Sequence, residues 1–142
     1  MTFNEFDQTE DQGWRLLARQ RDFTGAARAI ETYLKTTPDL EPWQSRILHF
    51  HAVQMHAFGG AIERALPHLP FSRDLDEAPD AQIRWNDYVT ATEAFLRGDR
   101  VGLISARERI ALGQEEDGPG ASNLRIVDRL IAGFGNPYSK TY

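Results

Sequence analysis

Three histidines fall within one eight-residue stretch: His49, His51 and His56. Imidazole is the commonest protein ligand for transition metals and the side chain most ready to change charge near neutral pH. Two rings on one helix reach a single ion when they stand four residues apart, because that spacing places them one turn apart on one side. The spacings here are two, five and seven. His49 and His56 share a helical face but lie roughly 10 Å apart along the axis at the helical rise. They cannot chelate one ion unaided, and His68 would join them only through tertiary folding. No metal and no cofactor is therefore expected, and interfacial histidines making ordinary hydrogen bonds are the simpler reading.

The carboxylates give no stronger signal. Asp74, Asp76, Glu77 and Asp80 form one acidic cluster, and Glu115, Glu116 and Asp117 another. A calcium loop needs a glycine at its midpoint and a distal glutamate, and neither cluster has them. Both read as solvated loops. Asp87 and Glu93 flank the aromatic pair Trp85 and Tyr88, but no nucleophile or second base accompanies them. Acids near a helix start also favour its dipole. There is no phosphate-binding glycine loop, no nucleophile elbow and no zinc-protease helix motif. The chain is not expected to be an enzyme.

Composition narrows the classes further. A net charge of −5 disfavours polyanion partners. Arg97, Arg100, Arg107 and Arg109 are interleaved with Asp99 and Glu108, so internal ion pairs account for them. The chain has no cysteine, which excludes disulfides and thiolate chemistry. Met1 to Asp7 is acidic and lacks an apolar run, so no secretory signal is expected. No stretch is apolar enough to span a bilayer. The expectation is a cytoplasmic protein that binds neither nucleic acid nor membrane.

The elements that must position these residues are helical. The 142 residues suit one domain, 1–142. Phe23, Ala26, Ala27, Ile30, Tyr33 and Leu34 form a stripe at helical spacing, ended by Pro38. Glu41-Pro42-Trp43 is a helix start, with proline where its missing N–H costs nothing. The helix after it is apolar on two faces, as an inner helix would be. Pro67 and Pro70 shorten the next one. A long helix is predicted from Asp80 to Leu96 and a last one over 121–134, with flexible ends. Three turns punctuate the pattern, at Arg21-Asp22-Phe23, Gly60-Ala61-Ile62 and Gly98-Asp99-Arg100, spaced 39 and 38 residues apart. Such a period marks a helical-hairpin array. The hairpins cover about 10–37, 42–70 and 80–113.

Asp22-Phe23-x-x-Ala26 with Pro38, Gly98-Asp99, and Gly60-x-Ile62-x-x-Ala65-Leu66-Pro67 together resemble the turns of tetratricopeptide repeats. The period exceeds that family's usual length, and Trp14, Trp43 and Trp85 do not occupy equivalent positions. The resemblance implies an all-α fold of three stacked antiparallel helix hairpins in a right-handed array, with the last helix as a cap, about seven helices in all. It also implies that the first helix of each hairpin lines a groove that takes a peptide or partner protein. Counting back from the turns places Arg15, Arg19, Ile47, Phe50, Gln54, Trp85, Tyr88 and Thr92 towards that groove. The reading is a non-catalytic interaction module, with homodimerisation as a further option. The alternative is a small-molecule-binding protein or an enzyme using a pocket of histidines and aromatics.

Overall fold

The computed structural model describes residues 1–141. Among them lie seven α-helices and no strand, and neighbouring helices pack as hairpins. Among the described residues no helix is long and apolar enough to cross a membrane. The chain forms two compact units, Met1–Ser72 and a second from Arg73 onward.

In the first unit a π-helical turn, Asn4–Gln8, precedes α1 (Gly13–Arg19), α2 (Phe23–Thr36), α3 (Pro42–Phe58) and α4 (Ile62–Ala65), and a 3-10 segment, Leu66–Ser72, ends it. The stripe on α2 behaves as its spacing predicts. Ala26, Ala27 and Ile30 are fully buried, with Phe23, Tyr33 and Leu34 packed around them. Burying Ile30 alone contributes about 1.5–3 kcal/mol. Glu41 and Gln44 form a reciprocal capping box at the start of α3, and Pro42 opens its first turn. That helix buries Leu48, Ala52 and Met55 as well as Phe50, Val53 and Ala57, as an inner helix must. After α4 the backbone tightens into the 3-10 form, because Pro67 and Pro70 lack the N–H that an α-helix needs.

The second unit contains α5 (Trp85–Arg97), α6 (Arg100–Ala111), α7 (Ala121–Ala132) and a 3-10 turn, Tyr138–Lys140. Helix α5 begins five residues later than the apolar pattern predicts. The acidic loop before it provides the reason. Glu77 accepts from the Asn86 backbone N–H at 3.0 Å. Asn86 exchanges two 2.7 Å bonds with the Asp74 backbone. These contacts satisfy one backbone donor of the first turn, the Asn86 N–H, and tie the Asn86 side chain to the loop, so Asp74 and Glu77 are not merely solvated. Tyr138, expected in a loose tail, is buried with its ring 5.9 Å from that of Phe95. Tyr142 lies outside the described residues.

The three recurrent turns share one backbone form. Arg21, Gly60 and Gly98 are left-handed, with φ of 61°, 78° and 73°. The next N–H of each reaches five residues back: Asp22 to Leu17, Ala61 to His56 and Asp99 to Ala94, at 2.8–2.9 Å. The left-handed residue itself bonds three back, to Ala18, Ala57 and Phe95. Each is a Schellman closure, and each following helix starts two residues on. Asp22 and Asp99 also cap their helices, accepting 2.9 Å bonds from the N–H groups of Gly25 and Gly102.

Candidate functional site

The side chains expected along a groove divide into three groups. Arg15 and Arg19 sit on α1 beside Trp14 and line an open concavity of about 510 Å³ together with Glu10 and Ala18. The Arg15 guanidinium lies 4.5 Å from the centre of the Trp14 ring and donates to the Asp7 carbonyl. Arg19 pairs with Asp11. Ile47, Gln54 and Trp85 are half-buried. Phe50, Tyr88 and Thr92 are enclosed, and a partner cannot reach them in this arrangement. The physical reason is that α3 and α5 bury more than one face, so counting back from a turn does not separate a lining residue from a core residue.

His49, His51 and His56 each make a hydrogen bond to another segment, as interfacial histidines would, but they divide into two separate clusters. His51 turns towards Asp7, with Nδ1 2.7 Å from Oδ1. The Trp14 indole N–H donates to the same oxygen at 2.8 Å. Asp7 is fully enclosed. Burial pushes its carboxyl up, but the hydrogen bond and charge of His51 and the bond from Trp14 outweigh this and hold it below the usual carboxylate value. This cluster ties the N-terminal turn to α1 and α3.

The other three histidines converge. His68, in the 3-10 segment, inserts its ring between those of His49 and His56, with ring centres 5.2 and 5.8 Å away. Its Nδ1 lies 2.9 Å from His49 Nδ1. Its Nε2 lies 3.4 Å from one oxygen of Glu31, on α2. His56 Nε2 lies 3.0 Å from the other oxygen. His56 is 2% exposed and His68 13%, while Glu31 remains 43% exposed. Phe71 stacks on His49 with ring centres 5.0 Å apart. Glu31, His49, His68 and Phe71 help line an open concavity of about 520 Å³.

Burial, and then the neighbouring charge of His68, pushes the His49 imidazolium down to about 4. His68 is also held below its usual value, burial outweighing the support of Glu31. Neutral imidazoles around a carboxylate offer nitrogen lone pairs and negative charge to one small space. Such a set can bind a cation or pass a proton along the line of rings.

The sequence names three of these four residues, with His68 able to join His49 and His56 only through tertiary folding, which the structure supplies. Glu31 was not singled out at all, although it borders the apolar stripe beside Ile30. No protein-family model, curated protein or solved structure matches the chain.

Proposed function

We propose that the chain is a degenerate tetratricopeptide-like module that binds a peptide or partner protein and carries out no reaction of its own. The observation that supports this reading is the repeated turn. Three Schellman closures, 39 and 38 residues apart, each launch a new helix in the same way. A period expressed in backbone hydrogen bonds, and not only in residue types, is what a repeat retains after its side chains drift.

The concavity on α1 is the contact face this reading favours. Trp14 is buried beneath Arg15 and holds its guanidinium in place, while Arg15 and Arg19 supply forked donors at the rim, which suits an acidic peptide or a terminal carboxylate. Arginine is also among the residues that most often dominate interface energetics.

Affinity capture from the native host with the wild-type chain and an Arg15→Ala, Arg19→Ala variant tests the proposal. The variant is expected to remain folded and to lose the partners that the wild type retains. Capture of the same proteins at equal yield by both would overturn it. Tyr88→Ala is unsuitable for this purpose, because Tyr88 is buried and its loss would report on packing.

A further inference from the structure

We infer that Glu31, His56 and His68 form a binding site for a divalent transition ion of the zinc class, open to exogenous ligands on its outer side. The three donor atoms come from three separate segments of the first unit, α2, α3 and the 3-10 stretch. They all lie within 4.8 Å of one another. Two ligand atoms each about 2.0–2.1 Å from one tetrahedral ion stand about 3.3 Å apart. His56 Nε2 lies 3.0 Å from one Glu31 oxygen and His68 Nε2 lies 3.4 Å from the other, so an ion would replace one hydrogen bond and one longer contact, with the carboxylate turning to present its oxygen to both rings.

The donor set suits the ion. Imidazole and carboxylate together, without thiolate, select zinc and its first-row neighbours over calcium and magnesium, which prefer oxygen alone. Two histidines and one carboxylate leave at least one coordination position unfilled. The exposed side of Glu31 faces the concavity that also borders His49 and Phe71, which gives the ion an entry path and the open position a place for water or a small ligand.

His49 completes the arrangement without being a ligand. Only one of two nitrogens 2.9 Å apart can carry the shared proton. Without an ion, His49 Nδ1 donates to His68 Nδ1, and His68 Nε2 donates to Glu31. With an ion, His68 carries its proton on Nδ1 and donates it in a hydrogen bond to His49 Nδ1, whose own proton shifts to Nε2, and this frees His68 Nε2 as a ligand. His56 likewise carries its proton on Nδ1 when Nε2 binds. Each ring holds one proton in both arrangements, so the exchange is a change of tautomer with no net proton released. His49 is thus a positioning residue of the kind that orients metal-bound imidazoles. The ion would also clamp the 3-10 segment, which its two prolines deprive of α-helical bonds.

The test is zinc titration of the untagged full-length chain against a chromophoric chelator, with thermal unfolding in zinc and in chelator as a second readout. The wild type is expected to bind one zinc per chain and to melt higher with zinc than without it. Glu31→Gln and His68→Gln should each weaken binding by more than tenfold and lose the thermal shift. Glu63→Gln, in the same concavity but outside the donor set, should retain both. His49→Phe should weaken binding by 10- to 100-fold while leaving the stoichiometry at one. Circular dichroism of each variant separates loss of ligands from loss of fold, and Glu31→Gln removes only charge from a half-exposed side chain. No binding by the wild type, or equal affinity in wild type, Glu31→Gln and His68→Gln, would overturn the assignment.

Discussion

The recurrent turns make a quantitative prediction, because one conformation is occupied by glycine twice and by arginine once. A side chain in the left-handed region costs about 1–2 kcal/mol. Replacing glycine by alanine recovers about 0.4–1 kcal/mol by restricting the unfolded chain. A Cβ added at Gly60 or Gly98 would meet no atom within 4 Å, so no steric term enters. Gly60→Ala and Gly98→Ala should therefore each destabilise, by about 0.8 kcal/mol at the middle of these ranges. Arg21 already bears the strain. Arg21→Gly relieves it, returns the entropy to the unfolded chain and forfeits the guanidinium contact 5.6 Å from the Phe23 ring centre, worth about 0.5–1 kcal/mol. Its net effect should lie within about 0.5 kcal/mol of zero. Urea unfolding of the three single variants, with midpoints and slopes read separately, measures these differences. If Gly98→Ala is as stable as the wild type, or Arg21→Gly is the most damaged of the three, the equivalence of the turns is wrong.

Asp7→Ala should cost about 3–5 kcal/mol, since it strands a buried indole N–H and the His51 ring; a loss below 1 kcal/mol in the same unfolding assay would refute this account. The Asp7 carboxyl is held below its ordinary 3.8 in the folded chain, so its contribution is present above that pH and is lost as pH falls through the folded value; acid unfolding of Asp7→Asn should lack that component. Asp22→Ala and Asp99→Ala each remove an N-cap bond of 2.9 Å and should each cost about 1 kcal/mol, read from thermal midpoints.

Much of the helical pattern was legible because local chemistry determines it. The α2 stripe, the proline-opened start of α3 and the three turn positions each depend on residues within a few places of one another. A further local signal went unread. Asp22 and Asp99 each stand three residues before a glycine, and at those glycines a Cβ would lie 2.1 and 2.4 Å from the capping carboxylate. The late start of α5, after Asp80–Arg84, was not legible, because it depends on Glu77 and Asp74 bonding across the loop to Asn86. Periodicity alone continues the helix there.

The candidate site failed to show for a related reason. Chelation arithmetic on α3 was sound: His49 and His56 do not share an ion through their own helix. What it omitted was that a ring from elsewhere can enter the gap between two rings two turns apart. His68 does so because the 3-10 segment rises about 2.0 Å per residue against 1.5 Å for an α-helix, and because Pro67 and Pro70 hold that segment in the extended form. Had α4 continued as a regular helix, each residue along it would stand about 100° further round at 3.6 residues per turn, against about 120° at three. The same two prolines that cut the second hairpin short thus bring His68 to Glu31. Replacing Pro67 by alanine should lengthen α4 and separate His68 from His49 and Glu31 before it disturbs α3. Loss of zinc binding with α3 intact by amide exchange would follow from that order. Retention of binding in a variant with a demonstrably longer α4 would break the link between the prolines and the site.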